Sequence, residues 1–121
     1  AMRELIVPAR EAVATRVRVE CKPVRVWDSD ARTYTNEQRT DSHGRPIWEV
    51  EGVAPIIMDG IFEGGTVQVT EFFEPQRVPI GTQFVLAGDD VFARVYPSRG
   101  GLGCTMSGAR LTKPKTGGEK A

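Results

Sequence analysis

The chain has 121 residues, 26% of them charged and 40% hydrophobic, which allows one globular domain with a modest core and excludes a fibrous or disordered chain. No apolar run approaches the ~20 residues a membrane helix needs and no secretory leader is visible, so a cytoplasmic protein without a membrane partner is expected. The formal net charge is zero, which on its face argues against a polyanionic partner.

Taken in order, Arg3 to Ala14 mixes helix formers with Pro8 and is expected as an irregular arm or one short turn. Val13 to Glu20 alternates, with Val13, Val17 and Val19 on one side and Arg16, Arg18 and Glu20 on the other, as a half-buried strand does. Pro23 should interrupt this ladder or mark an edge, with a bulge near Lys22–Pro23 before Val24 to Trp27 resumes. Residues 28–46 are polar and without period. A structureless segment of that length is unusual inside a compact domain, so it is expected as a functional loop or a projecting hairpin. It holds Arg32, Tyr34, Arg39, Arg45 and the single His43, and its Asp41-Ser-His-Gly44 stretch reads as a turn.

Ile47 to Val53 follows, with Trp48 and Val50 on one face and Glu49 and Glu51 on the other. Ile56 to Met58 is a short apolar run, and Asp59-Gly60 and Glu63-Gly64-Gly65 are turn signals. Thr66 to Phe73 places Val67 and Val69 inward. Pro75, Pro79 and Gly81 mark a loop, Thr82 to Ala87 a strand, and Gly88-Asp89-Asp90 a tight turn. Val91 to Lys115 then reads as two strands joined by a glycine-rich turn, with a basic tail. In the first of them Phe92, Arg94 and Tyr96 share one face, because strand side chains alternate. Five to seven short strands without a convincing helix predict an all-β fold, best matched in length by a five-stranded OB-fold-like Greek-key barrel with a long projecting loop or hairpin.

Catalytic patterns are weak. One histidine cannot build a multi-histidine metal site, and Cys21 and Cys104 lack zinc-ribbon spacing and are expected as free, buried thiols. Asp28 and Asp30 lack the glycine and distal glutamate of a calcium loop, and Gly100 to Gly103 lacks the lysine and helix of a phosphate loop. A non-enzyme without cofactor, metal or small-molecule substrate is expected.

The zero net charge hides an uneven distribution. Residues 1–46 carry nine Lys/Arg and seven Asp/Glu, residues 47–92 one and eight, and residues 93–121 six and one. Basic ends around an acidic middle suggest one face for phosphates and another for something else, unless the segments interleave in space and cancel. Three features point to single-stranded nucleic acid: the Phe92, Arg94, Tyr96 face, the arginine-rich segment 28–46, and a tail with Arg110, Lys113 and Lys115. Rings flanking a cation can hold unpaired bases, at about 1–3 kcal/mol per stacked base. Each feature also has a plainer explanation: an exposed strand, a loop whose arginines pair with its own carboxylates, a solubilising tail.

Four segments carry a likeness to a family: Val19-Glu-Cys-Lys-Pro23, Gly44-Arg-Pro-Ile-Trp48, Ser98-Arg-Gly-Gly-Leu-Gly103 and Ala109-Arg-Leu-Thr-Lys-Pro-Lys115. In these the chain resembles the gene V-type single-stranded DNA-binding proteins of filamentous phages. It is also similar to small uncharacterised or regulatory proteins of actinobacterial conjugative elements, which share a polar loop and D-x-x-G-x-P before an aromatic strand. The phage resemblance implies an oligonucleotide-binding barrel that dimerises through a hairpin, here 96–104, and coats single strands, with 28–46 as the DNA-binding wing. Leu102 stands where the family has a ring, Ile47 where it has an aromatic after the Gly-basic-Pro, and Arg110 alone matches its two late arginines.

The expected organisation is an arm over 1–12, a binding domain over 13–112 and a flexible basic tail over 113–121. The expected function is sequence-non-specific coating of single-stranded DNA, or RNA, in phage or mobile-element replication or transfer. Stacking is expected from Tyr34, Trp48, Phe92 and Tyr96, and phosphate contacts from Arg16, Arg18, Arg32, Arg39, Arg45, Arg94, Arg99 and Arg110. A protein-interaction or regulatory module, docking a basic partner on Glu49, Glu51, Glu71 and Glu74 of the acidic 47–92 segment or a peptide on an open strand edge, is the alternative. A structural homo-oligomer is a third reading.

Overall fold

A computed structural model describes residues 3–113, and every regular element among them is a strand. Two antiparallel ribbons build the body, each bending from one sheet into another. In the first, β2 (Glu11–Ala14) and β3 (Arg18–Pro23) run against β7 (Val53–Ile57) and β6 (Trp48–Glu51) respectively. In the second, β11 (Gln83–Ala87) and β12 (Phe92–Ser98) run against β14 (Arg110–Thr112) and β13 (Gly101–Gly108). Bends of this kind, where a strand switches sheets, make the corners of packed β-sheets.

The corner of the first ribbon lies at residues 15–17 on one strand and at Gly52 on the other. The Gly52 carbonyl accepts the N–H groups of Thr15 (2.8 Å) and Arg16 (3.2 Å). Its φ of 96° lies in the left-handed region, and a Cβ there would run into the carbonyl oxygen of Arg18. Only glycine combines that dihedral with that approach. The second ribbon turns at Gly88 and Ala109, where the Ala109 N–H donates to the Ala87 carbonyl at 2.8 Å.

Shorter strands complete the two sheets: β1 (Leu5–Val7), β8 (Gly60–Ile61), β9 (Thr66–Val69) and β10 (Gln76–Arg77). One sheet has seven strands in the order β1-β12-β13-β9-β6-β3-β10, the other five in the order β14-β11-β2-β7-β8. All pairings are antiparallel except β13–β9. The inward residues alternate with a period of two and meet in one core. Val19, Val50, Val67, Val69 and Met106 come from the larger sheet, and Ala12, Ala14, Phe84 and Leu86 from the smaller. Burying a valine, leucine, methionine or phenylalanine contributes roughly 1.5–3 kcal/mol each, and the alanines less.

The all-β expectation holds. In place of a single five-stranded barrel, the strands form open sheets of seven and five, plus a separate two-stranded ribbon described below. The reason lies partly in the N-terminal residues. Within the segment expected as an arm, β1 joins the edge of β12 and β2 sits in the middle of the smaller sheet. The alternation read across Val13 to Glu20 in fact spans the corner. Val13 and Val19 belong to different sheets, and Val17 lies 43% exposed on the bend. Of the tail, only Lys113 lies within the described residues. No helix among the described residues is long and apolar enough to cross a membrane.

Replacing Gly52 with Ala is expected to lower the unfolding free energy by on the order of 3 kcal/mol, since strain of about 1–3 kcal/mol adds to a backbone overlap. Gly44 also has a positive φ, 80°, but open space around it. Gly44→Ala should therefore cost only about 1 kcal/mol. Urea unfolding of the two variants beside the wild type measures the difference.

Candidate nucleic-acid interface

The outer face of the seven-stranded sheet is a polar floor. Its register sets Phe92, Ser107, Gln68, Glu49 and Lys22 in one row across β12, β13, β9, β6 and β3. A neighbouring row holds Arg94, Thr105 and Thr66. The sequence pairing of Phe92, Arg94 and Tyr96 on one face thus corresponds to the outer side of this sheet.

A ribbon stands beside that floor, made of β4 (Arg25–Asp28) and β5 (Thr33–Gln38). Its tip is closed by Asp28, whose carboxylate accepts the N–H groups of Asp30 (3.0 Å) and Ala31 (3.2 Å). Arg32 completes the turn with φ 56°. At the root, the Arg39 N–H donates to the Val24 carbonyl (2.7 Å), and the Ile47 carbonyl accepts both the Val24 N–H (3.1 Å) and the Gln38 side-chain amide (2.8 Å). The segment expected as a loop or hairpin over 28–46 is therefore half of a hairpin, followed by a tight turn. In that turn Asp41 accepts the N–H groups of His43 and Arg45 and pairs with the Arg45 guanidinium at 2.8 Å.

Trp27 and Tyr34 face each other across the ribbon, ring centroids 4.9 Å apart and nearly edge to face, and both are more than half exposed. Between ribbon and floor lies a cleft of about 680 Å³, lined by these rings, Arg25, Arg39 and Gln38, with Glu49, Thr66, Gln68 and Thr105 beneath. Gln68 also lines a second cleft of about 790 Å³, whose wall includes Arg45, Arg110, Glu71, Asp89 and Asp90 and whose floor includes Phe92 and Ser107.

The expected site residues divide accordingly. Tyr34 and Arg39 line the first cleft, and Phe92, Arg45 and Arg110 the second. Arg94 and Tyr96 belong to the same outer face. The Tyr96 ring covers Gly103, where a Cβ would sit 2.5 Å from the ring, and its hydroxyl meets the Thr105 hydroxyl at 3.1 Å. Arg32 is at the ribbon tip, Arg18 at the far end of β3, Arg16 on the sheet corner and Arg99 in the β12–β13 turn. Nothing draws these last three toward the clefts. Trp48 shares the inward side with Val50, packs on the core and lies 4.8 Å from Phe72, so it does not share a face with Phe92. Trp27 and Gln68 are cleft residues that pattern reading passed over, and Glu49, expected only as a contact for a basic partner, lies beside them in the cleft. Trp27 could have been found by folding the 28–46 segment about the Asp28 turn, which sets it opposite Tyr34.

The charges cancel locally. Arg18 pairs with Glu20 (3.3 Å), Arg45 with Asp41 (2.8 Å), Arg94 with Glu4 (3.4 Å) and Arg110 with Glu71 (3.3 Å). Such exposed pairs contribute little to stability, about 0–1 kcal/mol, but they reduce the positive field available to a phosphate. The acidic middle of the chain supplies the cleft with Glu49, Glu71, Asp89 and Asp90. Burial, followed by the nearby Glu51 charge, pushes the Glu49 carboxyl above its usual range. The Arg45 backbone N–H, joined by the His43 N–H and the Arg45 side chain, holds Asp41 below its usual range. Cys21 and Cys104 are free, and burial raises both thiols.

Comparison with protein-family models, curated proteins and solved structures found no match.

The Asp41 turn should be pH-sensitive in one direction. A carboxylate whose folded pKa is depressed stabilises above its unfolded value, about 3.9, and loses that effect as pH falls through the folded value. Amide exchange read by NMR should show the His43 and Arg45 N–H groups equally protected from pH 5 to pH 7 and losing protection below about pH 4. In Asp41→Asn the acid-dependent step should vanish.

Proposed function

We propose that the chain is a non-enzymatic single-stranded nucleic-acid-binding protein in which base stacking on the Trp27–Tyr34 ribbon outweighs phosphate attraction. The observation that supports this is the exposed aromatic pair, 4.9 Å apart, standing over a polar floor. A buried ring pair would serve the core. An exposed one costs hydration and offers flat faces to another flat group. Phe92, half-buried in the adjoining cleft, extends the stacking path, and Arg32 and Arg39, without carboxylate partners among the described residues, face the backbone. In this reading the ribbon takes the part of the wing implied by the likeness to gene V-type proteins, and an open sheet face replaces the surface of an OB-type barrel. The role is coating of single-stranded DNA or RNA in a cytoplasmic setting, as in replication or transfer of a phage or mobile element.

The partner hairpin also fits. Leu5 and Leu102, 64% and 55% exposed, share a side with Val95 and Pro97, on the part of β12–β13 that overhangs the core. We assign this apolar overhang to a second copy of the chain, making the 96–104 hairpin a homodimer contact. Leu102→Arg should shift sedimentation from dimer to monomer at equal protein concentration, and a wild type that sediments as a monomer removes the assignment.

A second reading rests on the acidic wall of Glu71, Asp89 and Asp90. A basic peptide from a protein partner would complement it, and reversal of Asp89 and Asp90 to Lys would abolish such binding while sparing an oligonucleotide.

Titration with a mixed-sequence 12-mer should quench tryptophan fluorescence. Trp27→Ala should weaken binding by on the order of tenfold, the size of one lost stacking contact, while Trp48→Phe should leave affinity unchanged. With three arginines of the ribbon, Arg25, Arg32 and Arg39, outside the ion pairs among the described residues, the salt slope should be shallow, about −2.1. Absence of any quenching, or a steep slope indifferent to Trp27→Ala, would overturn the stacking reading.

A further inference from the structure

The floor of the first cleft holds a carboxylate that the protein leaves without a partner. Glu49 is half-buried on β6, at the foot of the Trp27–Tyr34 ribbon. Among the described residues it forms no hydrogen bond and no ion pair. Lys22, its cross-strand neighbour, pairs instead with Glu51 at 3.5 Å. Its other cross-strand neighbour, Gln68, offers an amide that both donates and accepts. A half-buried anion with unfilled acceptor sites is costly unless a donor arrives.

That position also sorts the parts of a nucleotide. A carboxylate on the floor repels phosphate, so a strand stacked on the ribbon turns its backbone toward Arg32 and Arg39 and its base edges toward Glu49. An ionised carboxylate only accepts hydrogen bonds. Guanine presents two adjacent donors on its Watson–Crick edge, N1–H and the N2 amino group, which match the two carboxylate oxygens. Cytosine and adenine present one amino group each. Thymine presents two carbonyl oxygens, which the carboxylate repels, around a single N3–H. Single strands are read on these edges.

Resting on the stacking reading above, we propose that Glu49 makes the cleft discriminate among bases, favouring guanine and disfavouring thymine at the position stacked beside Trp27. The protein then binds without a sequence motif yet carries a base preference set by one side chain.

The test uses the full chain at pH 8 and four 12-mers of thymine with one central position replaced by G, C, A or left as T. Tryptophan quenching reports the affinity of each. The guanine oligonucleotide should bind roughly tenfold tighter than all-thymine, as one bidentate contact predicts, with C and A between. In Glu49→Gln, which keeps the shape but replaces one acceptor with a donor, the guanine preference should collapse to within about twofold, with binding otherwise retained. Equal affinity for all four in the wild type overturns the proposal, as does a guanine preference that survives Glu49→Gln. Failure of every oligonucleotide to bind overturns the stacking reading itself, and this proposal with it.

Discussion

The structure depends on the chain's ability to leave one sheet and enter the next without losing its hydrogen bonds. At Gly52 a single carbonyl collects two N–H groups from the opposite bend, at a φ and a backbone approach closed to any side chain. Because of that corner, β2 and β7 lie in the smaller sheet while β3 and β6, their direct continuations, lie in the larger one. The two sheets are thereby faced toward each other by covalent continuity as well as by the apolar surface between them. The outer face of the larger sheet then lies away from the core, with the β4–β5 ribbon standing over part of it. It becomes a floor because the core needs only the other side of those strands.

Over that floor the ribbon cleft balances Arg25 and Arg39 against Glu37 and Glu49, while the second cleft sets Asp41, Glu71, Asp89 and Asp90 against Arg45 and Arg110. Part of the basic–acidic–basic pattern of the sequence folds into ion pairs: Arg94 with Glu4, Arg110 with Glu71, Arg45 with Asp41. In the function proposed above, flat faces and hydrogen-bonding edges weigh more than total charge. This separates the present reading from one based on arginine count, in which every cation of the chain would contribute to affinity.

Much of the strand content was legible, because it rests on local alternation. Val67 with Val69 and the outward triplet Phe92, Arg94 and Tyr96 were assigned their faces correctly from period two alone, as was the shared side of Trp48 and Val50. The sheet organisation was not legible, since alternation is blind to a corner. Val13 and Val19 keep the same phase on either side of the bend while belonging to different sheets. The cleft was half legible for a similar reason. Tyr34 could be singled out as an aromatic in a polar stretch, but its partner Trp27 becomes visible only once the chain folds back at Asp28. The neutralising carboxylates come from residues as distant as Glu4 and Glu71, so their pairing is a property of topology rather than of composition.

The β4–β5 ribbon hydrogen-bonds along its length only to itself and is held to the body by a few backbone contacts at its root. None of its residues belongs to the central core. Opening it exposes little apolar surface, so its local unfolding is energetically separate from that of the body. The part of the molecule that carries the proposed stacking surface is thus insulated from the part that keeps it folded. Substitutions in residues 25–38 can alter the exposed surface of the ribbon at little cost in global stability, whereas a change at the Gly52 corner disturbs both sheets together.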